Sequence, residues 1–380
     1  MNRKNDDLAK STLAKTLVVG IAVIIILVGI WAGNYVMIQL SPPDHVMAIE
    51  RIASLKDPTA KWAQIFSIEA SGGKIYFSST QGHKAGYAGA GGIYNIDPES
   101  LNVSLVFPYS AAGAWWANSP AVPSLGGSWG HLSDGENVYF GGYAINDING
   151  DLISLKDETV YLLPDHTHEV WSLAKIGTTI YAATSFSIYT STDLRVWTKL
   201  PGTDRRVNIS ENVIWGMVVY NDTLYCVSNF LYRYDAAQAQ LTELYYNNET
   251  NTLKPICIWN GTLWFSGFAS SLNQNYTWLM SYDPITGRIE KVKVPANSIV
   301  DIIPYANNLW LAGYTEPRVF GEYLHGNKGV LFRFDGEALQ KVVELDLSGG
   351  FVGIAGYDDY IYVGTFTGDI YRLHVPTNPK

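Results

Sequence analysis

The sequence predicts an all-β protein built from a unit that recurs seven times. Tyr, Trp and Gly number 25, 12 and 35 in 380 residues, and this favours strands and turns over helices. One short apolar strand pattern returns at intervals of 39 to 63 residues, a period typical of repeat folds. The copies are "KIYFSS" (74–79), "NVYFGG" (137–142), "TIYAAT" (179–184), "TLYCVS" (223–228), "TLWFSG" (262–267), "NLWLAG" (308–313) and "YIYVGT" (360–365).

Each copy has the length for four strands. A strand precedes the recurring pattern, a third strand follows it and ends near an acidic turn, and six copies continue into a fourth strand. The last copy stops at "YRLHVPTNPK" without one. The segment His45–Leu55, "HVMAIERIASL", has the right length and alternation to supply it. We therefore expect an N-terminal strand to close the array and remove its open sheet edges.

Four strands per unit, seven units and this closure resemble a seven-bladed β-propeller over roughly residues 45–376. "SYDPITGRIEKV" (281–292) is similar to the D-P-x-T-G hairpins of quinoprotein-like and kelch-like propellers. "STDLRVW" (191–197) resembles the Asp-box of sialidase-like propellers, although Arg195 stands where glycine is common. Each motif occurs once, and outer hairpins generally use Asp and Gly in their turns. The resemblance therefore predicts the fold but no cofactor and no sialidase chemistry.

An uncharged run of 25 residues, "TLVVGIAVIIILVGIWAGNYVMIQL", predicts a transmembrane helix over residues 16–40. Arg3, Lys4, Lys10 and Lys15 precede it, and Asp44 is the first charge after it. The positive-inside rule then makes residues 1–15 a cytoplasmic tail and residues 41–380 an extracytoplasmic propeller. A cleaved signal peptide is the alternative, but its apolar region is usually shorter. We expect a single-pass protein of the cell membrane.

Composition excludes some functions and leaves one alternative open. Lys plus Arg total 26 against 35 Asp plus Glu, a net charge of −9, which argues against nucleic-acid binding. Cys226 and Cys257 are either two buried thiols or one disulfide. Six N-x-S/T sequons fall in or beside predicted turns and support a surface glycoprotein. They are Asn102, Asn208, Asn221, Asn248, Asn260 and Asn275.

The predicted loops divide unequally between the two faces of the propeller. The connections from strand two to strand three, and from blade to blade, share one face, and all the long loops fall there. They are residues 79–92, 108–128, 268–277 and 314–329. Elaborated loops on a rigid scaffold commonly carry function. This long-loop face predicts a ligand-binding surface that includes His83, Tyr87, Trp115, Trp116, Arg318, Tyr323 and His325.

Three tryptophans, Trp129, Trp171 and Trp215, each lie nine residues before the same position of their repeat. We expect them at equivalent places in successive blades, near the channel mouth on the long-loop face. They would stack on sugar rings, hold a peptide, or simply pack between blades.

A second cluster, His166, His168 and Glu169, would lie on the same face as an acid–base or metal-ligating group, with Asp165 as a second carboxylate. A metal needs at least three converging ligands, and this cluster is the one visible, so we predict no metal.

Nucleophile, zincin and phosphate-loop motifs are missing from the sequence. We therefore expect a membrane-anchored surface propeller that binds a protein, peptide or glycan as an adhesion or envelope-complex subunit. The alternative is an extracytoplasmic glycan hydrolase or lyase with acids from several loops, Glu169, Asp165, His83 and His325 first among them. A redox propeller with a quinone cofactor is a third hypothesis. Whether the protein is an enzyme stays open at this point.

Overall fold

A computed structural model of the protein describes residues 47–376, apart from 56–61, 85–86, 89–91, 109–127, 143–149, 165–168, 186, 205–212, 247–249, 270–273 and 321–322. The predicted tail at 1–15 and transmembrane segment at 16–40 lie outside this range. Every regular element within it is a β-strand. None of its segments is a helix of the length and apolarity that crossing a membrane requires.

The strands follow one another with short connections. The first two groups are β1 (Ile49–Ser54), then β2 (Trp62–Ser71), β3 (Lys74–Lys84), β4 (Tyr87–Ala88), β5 (Gly92–Ile96) and β6 (Val103–Pro108). The next two are β7 (Ser128–Ser133), β8 (Val138–Gly142), β9 (Asp151–Ser154) and β10 (Thr159–Leu162), then β11 (Val170–Ile176), β12 (Thr179–Thr184), β13 (Ile188–Ser191) and β14 (Thr198–Lys199).

The pattern continues to the C-terminus. There follow β15 (Gly216–Tyr220), β16 (Thr223–Val227), β17 (Phe230–Asp235) and β18 (Gln240–Tyr246), then β19 (Thr250–Trp259), β20 (Thr262–Ala269), β21 (Thr277–Tyr282) and β22 (Ile289–Val294). The last are β23 (Ser298–Tyr305), β24 (Asn308–Phe320), β25 (Tyr323–Phe334) and β26 (Leu339–Gly349), then β27 (Phe351–Tyr357), β28 (Tyr360–Thr365) and β29 (Asp369–His374).

Successive strands pair antiparallel into repeated four-stranded sheets, as the sequence predicts. The sheet of β2, β3, β5 and β6 carries the short β4 as an addition beside β3. The sheets β19–β22 and β23–β26 are joined through one residue pair, Phe268 opposite Ser298. Neighbouring sheets bury apolar side chains between them. One such layer combines Phe77 with Tyr362, and another combines Trp310 with Phe351.

Strand β1 supplies the fourth strand of the last sheet, in the order β1-β29-β28-β27. Ile49 lies opposite Leu373 and Ser54 opposite Asp369. The Leu55 N–H then donates to the Gly368 carbonyl at 2.8 Å. The prediction that the segment at residues 45–55 completes the last repeat is confirmed by this pairing. It joins the two ends of the array through backbone hydrogen bonds.

The first strands of the sheets contact one another in turn. Strand β2 contacts β7, and the contacts continue through β11, β15, β19, β23 and β27. The last of these, β27, contacts β2 again. These innermost strands therefore surround a central channel.

At one end of the channel the connections from the first to the second strand of each sheet are two-residue turns, except for the four residues 134–137 between β7 and β8. Asn221 with Asp222, and Ala306 with Asn307, have positive φ at both positions, the conformation that tight hairpins require. The outer hairpins at this end use an aspartate instead. Asp283 Oδ1, for example, accepts the backbone N–H groups of Ile285 and Thr286. Asp97, Asp193, Asp235 and Asp335 make the same cap, which explains the acidic residue at the end of these third strands.

At the opposite end two of the predicted long loops continue as paired strands. In residues 314–329, β24 and β25 stay paired up to Phe320 opposite Tyr323. In residues 79–92, β3 extends to Lys84, which lies opposite Tyr87 of β4. The loop prediction was wrong for these two segments because cross-strand pairing satisfies their backbone groups. We call residues 82–84 with 87–88, and residues 315–320 with 323–328, the two arms.

Candidate functional site

The innermost strands share a β-bulge at one position near their start. Among the described strands, the register shifts at this point in β2, β7, β11, β19, β23 and β27. The residues at this position are Phe66, Trp129, Trp171, Lys254, Val300 and Val352; in β19 the neighbouring Pro255 is out of register as well. Trp215, immediately before β15, completes the series by spacing, and its N–H donates to the Val227 carbonyl at 2.9 Å. We call these seven residues the collar. It lies toward the long-loop end, where the innermost strands begin.

Two collar tryptophans from neighbouring sheets are in contact. The ring centroids of Trp171 and Trp215 are 4.6 Å apart with the ring planes at 60°, an edge-to-face arrangement. Trp171 Nε1 donates to Ser185 Oγ at 3.1 Å, and Ser185 Oγ donates to Glu169 Oε2 at 2.7 Å. These two hydrogen bonds restrain the orientation of the Trp171 ring.

The collar has a buried sector and an accessible one. Phe66, Val300 and Val352 are at most 6% exposed. Trp171, Trp215 and Lys254 are half-buried. Trp129 lies in β7, and its side chain is outside the described part of the structure. The accessible sector therefore comprises the three partly exposed residues, Trp171, Trp215 and Lys254.

Sequence analysis missed Lys254, although the signal was present. Lys254 lies nine residues before Leu263, the same spacing that singled out the three tryptophans. The aromatic residues at that position were predicted as site residues, and the lysine was not. The bulge shows that the position, and not the residue type, defines the collar.

The collar lysine lies beside a carboxylate of the next sheet. Asp301 Oδ1 accepts the Ile302 N–H at 2.8 Å, and Oδ2 accepts the Ile354 N–H at 3.0 Å. Burial raises the pKa of Asp301, and the charges of His131 and Lys254 oppose that rise. Burial lowers the pKa of Lys254 to about 8, against the attraction of Asp301. Lys254 is therefore mostly a cation at neutral pH.

An imidazole and a second carboxylate lie farther along the innermost strands. Glu69 Oε2 is 3.6 Å from His131 Nε2, with the two side chains 22% and 29% exposed. Burial raises the pKa of Glu69, and the charge of His131 opposes the rise. His131 Nδ1 is buried and has no hydrogen-bond partner among the described atoms. We call Glu69, His131, Lys254 and Asp301 the channel cluster. No described group of three or more His, Cys, Asp or Glu residues has the geometry of a metal site.

The residues predicted for the long-loop face divide into two groups. His83 and Tyr87 lie on the first arm, and Arg318, Tyr323 and His325 lie on the second, with Arg318 opposite His325 in register. The side chains of these five are outside the described part of the structure. Trp115, Trp116, Asp165, His166 and His168 fall wholly outside the described residues.

Four of the six sequon asparagines are described, and all four are exposed. Asn221 and Asn260 lie in two-residue turns with positive φ. Asn102 precedes β6 and Asn275 precedes β21. Asn208 and Asn248 lie outside the described residues.

The two cysteines are buried thiols and not a disulfide. Cys226 lies on β16, and Cys257 lies on β19 close to the channel cluster. Burial raises the pKa of the Cys257 thiol, and the charge of Asp301 adds to the effect. The sequence left two alternatives open, and the structure has the two buried thiols and not the disulfide. Burial also makes the Cys257 thiol a poor nucleophile.

No protein-family model matches the chain, and no curated protein matches it in sequence. Solved structures do match it. Catalytically inactive virginiamycin B lyase from Staphylococcus aureus, with Quinupristin, aligns with a TM-score of 0.59 and 17% identity over 87% of this chain and 99% of that one. The extracellular domain of BT4673 from B. thetaiotaomicron aligns with 0.58 and 16% over 86% of this chain and 40% of that one.

The WD40 β-propeller domain of Doa1 aligns with a TM-score of 0.57 and 11% identity, over 86% of this chain and 96% of that one. Together with the repeated four-stranded sheets, these likenesses define the class: the chain has a β-propeller fold. Identities this low show the fold alone. The chain also spans only about 40% of the length of the BT4673 domain.

Proposed function

We propose that this protein is a seven-bladed β-propeller, anchored in the cell membrane through residues 16–40, that binds a protein, peptide or glycan outside the cell with its long-loop end. In this proposal it acts as an adhesion or envelope-complex subunit. The sequence count of seven repeats and the contact of β27 with β2 support the blade number. The uncharged run with its preceding cations supports the topology.

The binding proposal depends on one observation: the connections at the two ends of the propeller differ in length and structure. The arms extend from the strand-two-to-strand-three connections of two sheets, and these connections share one end with the accessible collar sector. The other end has two-residue turns and aspartate-capped hairpins. A rigid scaffold with elaborations confined to one end is typical of a recognition surface.

Two further features support an extracytoplasmic position. The described sequon asparagines are all exposed, as glycan attachment requires. One of the proteins that this chain resembles in fold is described as an extracellular domain. Each of these features is compatible with the orientation that the charges before residue 16 predict.

The channel cluster favours a second candidate function, an extracytoplasmic hydrolase or lyase. Glu69 and His131 face each other at 3.6 Å, and a carboxyl group with a raised pKa is suited to proton transfer near neutral pH. One propeller that this chain resembles is a lyase. In this alternative the acids come from the channel and not from the loops. Glu69→Gln and His131→Asn would each remove the activity if it exists, while binding at the arms would persist.

The binding proposal is tested by capturing the tagged full-length protein from its native membranes and identifying what co-purifies by mass spectrometry. Trp115, Trp116 and Tyr323, all changed to Ala, should eliminate the captured partner. The matched control changes Val196 and Ile285, which are 68% and 85% exposed on hairpins of the opposite end, to Ala. Capture by the triple variant at the wild-type level would show that the long-loop end is not the binding surface.

A further inference from the structure

We propose that the accessible collar sector of Trp171, Trp215 and Lys254 binds a carboxylated sugar. An indole stacks on the C–H face of the pyranose ring, and the Lys254 ammonium donates to the carboxylate. This inference rests on the proposed binding function and names its ligand class.

The three residues form a continuous arc around the channel. Strands β11, β15 and β19 follow one another and are in contact, and the repeated bulge assigns all three residues the same place in their sheets. The ring centroids of Trp171 and Trp215 are 4.6 Å apart. Lys254 occupies the equivalent collar position in the next sheet. The collar positions at Phe66, Val300 and Val352 are filled by buried apolar side chains. A ligand that enters from the long-loop end therefore meets the arc.

The aromatic part of the arc is held in place before a ligand arrives. The hydrogen bonds through Ser185 to Glu169 fix the Trp171 ring by its Nε1 edge. The 60° contact with Trp215 restricts both rings. Little side-chain entropy is then lost when a sugar ring stacks on either indole. Because Trp171 Nε1 already donates to Ser185 Oγ, we expect a ligand to contact this residue through a face of its ring.

The charge at collar level is positive. Lys254 is the charged member of the collar, whereas Asp301, Glu69 and His131 lie on later residues of their strands, deeper in the channel. Both Asp301 oxygens accept backbone N–H groups. At the rim, the Glu169 carboxylate accepts from Ser185. A carboxylate that passes Glu169 at the rim therefore meets Lys254 before it meets Glu69 and Asp301, which lie deeper in the channel.

The main chain near the collar favours a sugar over a peptide. An extended peptide is recognised largely through unpaired backbone groups. Here the Met217 N–H donates to Ser172 Oγ at 2.9 Å, and the Trp215 and Ile354 N–H groups also have acceptors within the protein. Recognition then depends on side chains that offer a flat apolar face and one cation. A pyranose that carries a carboxylate matches both features.

The test is calorimetric titration of the purified full-length protein with a glucuronate-containing oligosaccharide and with the same oligosaccharide after its carboxyl groups are reduced to alcohols. We expect the acidic form to bind about tenfold more tightly or better, because a charge-assisted hydrogen bond is lost on reduction. Lys254→Met should weaken binding of the acidic form to the level of the reduced one, and Lys254→Arg should retain part of the difference. Trp215→Ala should weaken both ligands alike.

Lys156→Met is the matched control, since it removes the same charge from an exposed residue of the opposite end; it should leave both affinities unchanged. Equal affinity for the two oligosaccharides, no saturable binding, or full binding by Lys254→Met would overturn the proposal. Displacement of the sugar by a peptide through its C-terminal carboxylate would overturn the ligand class. The ligand pair needs no variant, so a misfolded Lys254→Met would not prevent a decision. If the sugar does not bind while the triple variant of Trp115, Trp116 and Tyr323 still loses its captured partner, the ligand inference alone is wrong.

Discussion

The Oδ2 atom of Asp134 lies 2.5 Å from the Nζ atom of Lys175, so that the turn after β7 is tied to β11 in the next sheet. Burial by itself would raise the pKa of Asp134. Hydrogen bonds from Lys175 and from the Asn137 and Glu136 N–H groups more than offset this and lower it to about 2. The carboxylate is 9% exposed, and the ammonium is 31% exposed. This ion pair is therefore partly protected from solvent screening.

Asp134→Asn should lower the free energy of unfolding by about 1 to 2 kcal/mol at pH 7, after a discount for the partial exposure of Lys175. The amide oxygen can still accept the Glu136 and Asn137 N–H groups that Oδ1 caps, so the change tests the charge and not the turn. Denaturant unfolding measures it. Glu136→Gln, at an 82% exposed partner 3.5 Å from Lys156, is the control and should change nothing. An unaltered midpoint for Asp134→Asn would contradict the assignment.

The same pair predicts a pH dependence. The folded pKa of about 2 lies below the ordinary aspartate pKa of 3.8, so the pair contributes its full stability above about pH 4. That contribution is lost as the pH falls toward 2. The loss of stability between pH 4 and pH 2 should be smaller in Asp134→Asn than in the wild type. Parallel curves for the two proteins would show that another carboxylate causes the acid loss.

Asp301 and Ser172 occupy equivalent places after the bulge, and each accepts an N–H group from the next sheet, of Ile354 and Met217 respectively. Asp301→Ala should lower stability by about 2 to 4 kcal/mol, because two backbone donors lose a charged acceptor. Ser172→Ala should lower stability by about 1 kcal/mol, because one backbone N–H loses a neutral hydroxyl acceptor. Thermal unfolding of the two variants makes the comparison. A larger effect at Ser172 would reverse our ranking of these contacts.

Neither cysteine should react in the folded protein. Cys226 is 0% exposed and Cys257 is 9% exposed, and a thiol with a raised pKa has little of the reactive thiolate. A maleimide reagent should label no cysteine under native conditions and both after denaturation without reductant. Labelling is counted by intact mass. Two cysteines that stay unlabelled after denaturation would reveal the disulfide that the structure lacks.

Ala306 stands at φ +48°, which strains a residue with a Cβ atom. Ala306→Gly should raise stability by about 0.5 to 1 kcal/mol through relief of this strain. Ala312→Gly is the control, since Ala312 is buried in β24 of the same hairpin with regular strand pairing; this change should lower stability. A loss of stability in both variants would mean that the Ala306 methyl contacts outweigh the strain.

The fold could be predicted well from the sequence because short-range patterns within each repeat determine its strands and turns. The alternation of apolar residues in "TLWFSG" and the Asn-Gly turn at Asn260 define a hairpin without reference to distant residues. The site was predicted less well. The nine-residue spacing that predicted Trp171 and Trp215 at equivalent positions applies equally to Lys254. Spacing alone, however, does not show which of these positions stay accessible in the folded protein. Glu69 and His131 carry no local signal at all.

By itself the sequence determined the all-β class, the repeat, the N-terminal strand that completes the last sheet, and the tight turns at one end. These follow from hydrophobic alternation and turn chemistry, which act over a few residues. The tertiary structure alone decided that Glu69, His131, Lys254 and Asp301 share one channel, and that two predicted loops continue as paired arms. Residues as far apart as 69 and 301 interact only because the innermost strands surround a common axis. Long-range packing creates that proximity, and no short stretch of the chain encodes it.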